Sequence, residues 1–102
     1  MATALVTHHA LFGLYTSIKN PQDRIYSGSV SGTIVLTVEI TTAPATGELE
    51  VIVDGHSITD GVMTQGGWES RTFTIERART IDLILHGQSQ IATGAYTISF
   101  LL

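Results

Sequence analysis

The sequence predicts an all-β fold, an antiparallel sandwich of about eight strands. Apolar and polar residues alternate with a period of two in several runs, and turn-forming residues separate these runs at spacings of roughly ten residues. No stretch shows the period of about 3.6 residues that is typical of an amphipathic helix. Runs spaced in this way are typical of sandwiches and barrels, and a jelly roll fits the number of strands.

The closing third of the chain carries the clearest alternation. Three runs place apolar side chains at every second position, and on a strand these positions share one face. The runs are residues 71–76, 80–86 and 95–102. The residues expected to be buried are Phe73, Ile75, Ile81, Leu83, Leu85, Tyr96, Ile98, Phe100 and Leu102. We expect antiparallel strands here, with the last run held in a sheet rather than frayed.

The first half of the chain predicts further strands that end at turn residues. These strands are residues 14–18, 25–26, 33–42, 48–53 and 57–63. Asn20-Pro21 marks a turn, and residues 22–24 are its polar tip. Residues 33–42 form the longest alternating run, so we place this strand centrally. Asp54-Gly55 is a dipeptide typical of hairpin turns.

Residues 1–14 (MATALVTHHALFGL) are apolar, poor in charge and interrupted by Gly13. No capping residue precedes them and glycine weakens a helix, so we interpret them as an extended N-terminal arm. The domain organisation is then an arm at residues 1–14 and one β-sandwich domain at residues 15–102. An apolar arm can supply a strand or cover a groove on another copy of the chain. Its expected subunit-contact residues are Leu5, Val6, Leu11, Phe12 and Leu14.

The composition favours self-association over a monomeric state. Charged residues make up only 14% of the 102 residues, against roughly 25% in typical soluble domains. With a net charge of -4 and five basic residues, the chain lacks the clustered lysine and arginine that a nucleic-acid partner needs. No run is long and apolar enough for a membrane span, and we expect no classical signal peptide. There is no cysteine.

The histidines do not predict a metal site. His8-His9, His56 and His86 are the only imidazoles, and adjacent residues on a strand point to opposite faces. Since a zinc site needs three or four converging ligands, surface histidines are the simpler interpretation. We therefore expect no metal and no other cofactor.

The carboxylates do not predict catalysis either. Asp54, Asp60 and Glu69 lie in expected turns, where backbone geometry explains aspartate and its neighbours. No serine sits in a nucleophile elbow, and no glycine loop of the phosphate-binding kind is present. We expect that the protein is not an enzyme.

Two further groups of residues each have two interpretations. Trp68 is either a core or subunit-contact residue or, in the alternative function, a platform that stacks on sugars in a carbohydrate-binding or adhesin module. A cluster of mixed charge is better suited to salt bridges within or between subunits than to phosphate binding. It comprises Glu69, Arg71, Glu76, Arg77 and Arg79.

Residues 26–102 resemble the core subunits of Bacillus endospore appendages, the Ena family of small jelly-roll proteins that polymerise into spore-surface fibres. The segment SRTFTIER at residues 70–77, followed by Thr80-Ile81, carries the resemblance together with GAYTISFLL at residues 94–102. The family similarly has a strand of Ser-x-x-Phe-Thr-Val type beside a basic residue and a Gly-aromatic strand that runs to the terminus.

The resemblance implies a structural fibre subunit rather than a binding module. Its expected partners are identical copies in a helical filament, together with a spore-coat or exosporium anchor protein, and its expected location is the spore surface or an extracellular fibre. In that family a flexible connector precedes the jelly roll and docks onto a neighbour, and residues 1–14 occupy the equivalent place. The family members use connector cysteines for cross-links, so this chain resembles a cysteine-free relative.

Overall fold

The computed structural model describes residues 5–16, 21–28, 32–42, 46–64 and 70–101. Eight strands fill most of these ranges, and the described residues include no helix. The strands are β1 Leu5–Tyr15, β2 Gln22–Ser27, β3 Thr33–Thr42, β4 Glu48–Val53, β5 His56–Thr64, β6 Ser70–Glu76, β7 Thr80–His86 and β8 Ile91–Leu101. The predicted all-β class and the strand number are confirmed.

The strands form two four-stranded antiparallel sheets that pack face to face. Sheet A has the order β1-β8-β3-β6, and sheet B has the order β2-β7-β4-β5. Strands distant in sequence are therefore neighbours in space, as in a jelly roll of two Greek keys. The predicted central position of residues 33–42 is confirmed, because β3 pairs with β8 on one side and β6 on the other.

The core lies between the sheets and follows the alternation of the sequence. In β3, Ile34, Leu36 and Val38 are fully buried, while the residues between them face outward. The other fully buried large side chains are Leu14, Leu49, Val51, Met63, Ile81, Leu83 and Ile98. The burial of alternate apolar residues on both inner faces is the main stabilising contribution to such a sandwich.

The N-terminal segment differs from the predicted arm. Residues 5–15 form β1, which pairs with β8 in an unbroken register from Leu5 opposite Leu101 to Tyr15 opposite Ile91. The expected domain boundary after Leu14 therefore falls inside a strand. The physical reason is visible in the sequence, because Phe12 and Leu14 alternate with outward-facing residues and their burial completes the core.

The predicted polar turn at residues 22–24 is also wrong, because β2 begins at Gln22. Polar residues are tolerated there because β2 lies at an edge of sheet B, where side chains can face solvent. Arg24 is further held by the carboxylate of Asp82 on the neighbouring β7, with Nε to Oδ1 at 2.9 Å.

Candidate assembly surfaces

A sandwich of two open sheets has four edge strands, and these are where another chain can add backbone hydrogen bonds. In this protein they are β1 and β6 in sheet A and β2 and β5 in sheet B. β1 lies beside β2 on one side of the sandwich. β5 and β6 lie together on the other side, where residues of both strands line one groove.

The β1 edge is long and regular. Its eleven residues match β8 one to one without a bulge, and the outward-facing His9 accepts or donates a 2.8 Å hydrogen bond between its Nδ1 and Oγ1 of Thr97. Leu11 is 80% exposed, the largest exposed fraction among the large apolar side chains that the structure describes. This edge therefore offers an uninterrupted backbone and an apolar side chain to a neighbour.

The predicted arm contacts thus separate into two groups. Leu11 faces outward, whereas Phe12 is 6% exposed and Leu14 fully buried in the subunit's own core. With β1 paired to β8 of its own subunit, Phe12 and Leu14 are covered by that subunit's core, so their subunit-contact role requires an exchange of β1 between copies and stays a prediction. For Leu5 and Val6 the structure gives the backbone positions, opposite Leu101 and Phe100.

The β2 edge is short and interrupted. Its six residues contain a register shift between Arg24 and Tyr26. A bulge of this kind increases the local twist and disturbs the row of hydrogen-bonding groups that an added strand needs. The edge is therefore less regular than that of β1.

The β5 edge is irregular and is contacted from the opposite sheet. The register with β4 shifts between Glu50 and Ile52, and Asp60 has a φ of 58°. Across the groove, Nη1 of Arg71 donates to the backbone carbonyl of Asp60 and, at 3.3 Å, to that of Val62. Two acceptors of this edge strand are therefore already engaged.

The β6 edge, by contrast, is regular. Its seven residues pair one to one with β3, from Ser70 opposite Glu39 to Glu76 opposite Thr33. Thr72 and Thr74 are exposed on its outer face. On the side of the sandwich shared by β5 and β6, the regular edge is thus that of β6.

The outer face of sheet A is rich in hydroxyl groups that bond across strands. The oxygen pairs Thr7–Ser99, Thr37–Thr72 and Thr41–Thr93 lie 3.2, 2.9 and 3.1 Å apart. Cross-strand pairs of this kind each stabilise a sheet by roughly 0.2 to 1 kcal/mol. Their partners follow from the register and were not identifiable from the sequence alone.

The outer face of sheet B carries an ionisable cluster that sequence reasoning also missed. Ser57 donates to Glu50 at 2.6 Å, and Nε2 of His86 lies 2.9 Å from the other carboxylate oxygen of Glu50. The Ser57 hydrogen bond is the main cause that lowers the pKa of Glu50, and His86 acts in the same direction. No group of three His, Cys, Asp or Glu side chains among the described residues has the geometry to hold a metal ion.

The remaining predicted site residues lie partly outside the described residues. Trp68 and Glu69 lie outside the described residues, so the sugar-stacking alternative stays a prediction. Within the described ranges, Arg24 forms an ion pair with Asp82, and Nε2 of His86 lies 2.9 Å from the Glu50 carboxylate. Glu76, Arg77 and Arg79 do not pair with one another there, and their pairing between subunits stays a prediction.

Among the described residues there is no helix long and apolar enough to cross a membrane.

Comparisons with known proteins agree with this architecture. A solved structure of Bacillus endospore appendages, described as disulfide-linked pili, is similar with a TM-score of 0.58 and 18% sequence identity. The similarity covers 96% of this chain and 88% of that one. A comparison with curated proteins finds no match. The family model for endospore appendages matches residues 14–101, and the chain therefore belongs to the endospore appendage family.

Proposed function

We propose that this protein is a structural subunit that assembles with identical copies into a fibre on the spore surface or outside the cell. Membership of the endospore appendage family and the likeness to a pilus structure support the role of fibre subunit. The role needs no catalytic group and no cofactor. The observation that carries the assembly mechanism is the presence of regular edges on opposite sides of one sandwich, β6 on one side and β1 on the other.

Two different edges on opposite sides of the sandwich favour an open-ended polymer. If β6 of one copy adds to the β1/β2 side of the next, donor and acceptor surfaces differ, so each added copy presents a new free β6 edge. Such a heterologous contact repeats without closing, unless its rotation closes a ring. Strand addition supplies backbone hydrogen bonds for affinity and alternate side chains for specificity.

The energy of one edge contact shows that hydrogen bonds alone leave little net affinity. In a seven-residue antiparallel strand three or four residues face the added strand and each exchanges two bonds, so about seven intermolecular backbone bonds form, each worth roughly 0.5 to 1.5 kcal/mol net. This gain of roughly 4 to 10 kcal/mol is largely offset by the cost of about 4 to 15 kcal/mol for immobilising a subunit. Side-chain burial must therefore contribute, and the exposed Leu11 and the small number of charges in the chain suit that requirement.

The strand-addition proposal is tested by placing charge on the β6 edge. We expect Thr72→Lys/Thr74→Lys to abolish fibres in negative-stain electron microscopy, because lysines on an edge strand oppose the approach of another strand. Thr59→Lys on β5 is the matched control, since Thr59 is also exposed on an edge strand but that edge is already engaged by Arg71. Unchanged fibres from the double variant would contradict the β6 contact.

Arm insertion is the second mode within this proposal. β1 is a terminal edge strand, so its exchange between two copies would re-form the same β1–β8 pairing between molecules. The chain has no cysteine, so His9→Cys/Thr97→Cys reports this pairing directly, because the two residues lie opposite each other. Oxidised fibres that dissolve into cross-linked chains on a denaturing gel support exchange, and monomers with an internal disulfide exclude it.

A further inference from the structure

We infer that Arg71 closes the β5 edge and so leaves β6 as the strand through which a second copy of this chain binds on that side of the sandwich. The inference rests on the proposed function and identifies a residue that determines its specificity. β5 and β6 are adjacent edges, and strand addition by itself does not determine which of them binds the next copy.

The problem arises from the geometry of the sandwich. β5 and β6 belong to different sheets but border the same groove of about 790 Å³, lined among others by Ile58 and Phe73. If both edges accepted a strand, one copy could bind two neighbours on this side, and the assembly would branch. Closure of one of the two edges limits each copy to one neighbour on this side and so favours an unbranched fibre.

Arg71 occupies a position where the strand pattern calls for an apolar residue. On β6 it belongs to the same alternating set as Phe73 and Ile75, which are both buried, and it pairs with the fully buried Val38 of β3. Its side chain is therefore directed toward the space between the sheets rather than the outer face. Inward-pointing charges are one of the devices by which natural proteins protect sheet edges.

The contacts of Arg71 show that its charge protects the edge of β5 rather than the edge of its own strand, β6. One nitrogen, Nη1, donates to the carbonyls of both Asp60 and Val62, so the two carbonyls point toward the same side of β5. These residues are two apart, which is the spacing of the acceptors that an incoming antiparallel strand uses. A strand that added here would have to displace the guanidinium group from both carbonyls.

The backbone conformation of β5 also disfavours the addition of another strand to this edge. Asp60 has a φ of 58°, and Gly61 follows it in a buried position where an added Cβ would lie 3.1 Å from the carbonyl oxygen of Val51. Together with the register shift opposite Glu50 and Ile52, this conformation bends the edge away from the regular geometry of a ladder. Arg71 then fixes the bend by bridging its two carbonyls.

The test introduces one cysteine as a reporter on the β5 edge. Thr59→Cys adds an exposed thiol to a chain with no other cysteine, and it is mixed with a second chain that carries His9→Cys on the β1 edge, so disulfides between copies report both β5–β5 and β5–β1 contacts. The reporter is combined with Arg71→Met, which fits the apolar alternation and keeps an unbranched side chain but has no donor. Arg79→Met in the turn before β7 is the matched control, because it removes the same charge from an exposed position.

We expect Arg71→Met to raise the disulfide-linked fraction severalfold over the parent Thr59→Cys chain and to give branched or laterally thickened assemblies in electron microscopy. Arg79→Met should change neither. Arg71→Lys keeps the charge but lacks the planar guanidinium group, so its disulfide-linked fraction should lie between those of Arg71→Met and Arg79→Met. Circular dichroism verifies that each variant retains the β-sheet spectrum. If Arg71→Met loses that spectrum, the disulfide-linked fraction of Arg71→Lys is compared with that of the parent chain instead.

The inference is overturned if removal of the Arg71 guanidinium leaves cross-linking at the parent level. Cross-linking is measured on the chain before and after assembly, so this result does not depend on fibre formation. Failure of the proposed function has a different signature, namely a parent chain that forms no fibres or a Thr72→Lys/Thr74→Lys variant that still does.

Discussion

The side chain of Gln90 is 6% exposed and binds Thr46 in both directions, accepting from its backbone N–H through Oε1 and donating to its Oγ1 through Nε2, each at 3.0 Å. The same Oε1 accepts from the N–H of Gly47 at 3.2 Å, and Nε2 donates to the carbonyl of Gln88. One buried amide therefore joins the segment before β4 to the segment before β8. Buried polar groups satisfied in this way are costly to remove.

Gln90→Leu should destabilise the subunit by about 1 to 3 kcal/mol, because the buried N–H of Gly47 loses its hydrogen bond and the part-buried bonds to Thr46 are lost with it. The free energy of unfolding is measured by urea denaturation in the Thr72→Lys/Thr74→Lys background, which is expected to remain unassembled. Gln88→Leu is the control, since Gln88 is exposed and contributes its backbone carbonyl. Equal stability of the two variants would show that the Gln90 amide is not a structural connection.

Gly94→Ala should prevent correct pairing of β8 with β3. An added Cβ would lie 1.9 Å from the backbone carbonyl oxygen of Glu39, a distance that no side-chain movement relieves. Gly13→Ala is the matched control on β1, because its Cβ would meet only the Tyr15 side chain at an ordinary 3.5 Å. We expect a large fall in thermal midpoint, or loss of soluble protein, for Gly94→Ala and little change for Gly13→Ala. A well-folded Gly94→Ala protein would mean that the bulge near Ile40 can move.

The stability of the subunit should depend on pH through Asp54. Its Oδ1 accepts from the backbone N–H groups of Thr80 and Arg79, at 2.9 and 2.7 Å, and these bonds lower the pKa of Asp54 below its ordinary value of 3.8. Because the folded pKa is depressed, the stabilisation is present above the unfolded pKa and is lost as pH falls through the folded pKa.

Asp54→Asn tests this dependence, since asparagine tolerates the φ of 52° at this position. We expect the variant to have a lower thermal midpoint than the parent at pH 7. The difference should shrink below pH 3.8, as the parent carboxylate becomes protonated. A difference that stays constant well below pH 3.8, where the parent carboxylate is protonated, would assign the effect to something other than the charge.

Arg24→Met should destabilise the subunit more than Arg79→Met, although both remove one positive charge. The Asp82 carboxylate is 4% exposed and pairs with Arg24, with Nε to Oδ1 at 2.9 Å, so its loss leaves a buried charge without that partner. Arg24→Met/Asp82→Leu should recover stability, because an apolar pair avoids the desolvation cost. Chemical denaturation of the three variants measures this, and no recovery in the double variant would contradict the explanation.

The parts of the fold predicted from sequence are those that local alternation determines. β3, β4 and β7 have the predicted bounds, because each carries apolar residues at every second position over most of its length and lies between turn residues. The predicted arm differs from β1 because Leu11 and Gly13 stand where alternation places polar residues, and this hides the single buried face that Phe12 and Leu14 share.

The parts that escaped prediction depend on partners distant in the chain. Nothing near Asp82 indicates that Arg24 reaches it across 58 positions, and Gln90 has the sequence context of an ordinary exposed loop residue. The grouping of Arg71 with other charges came from proximity in sequence. Its contacts with Asp60 and Val62 depend on how the two sheets are stacked, which alternation alone does not specify.

The pairing of Leu5 with Leu101 brings the two ends of the sandwich domain to the same pole, one strand spacing apart. Peptides attached directly before Leu5 and directly after Leu101 would therefore start from neighbouring strands at one pole, and a short linker between these two residues would suffice for a circular permutant of residues 5–101. In a fibre built from such subunits, displayed cargo would recur once per subunit at one pole and leave the lateral edges free.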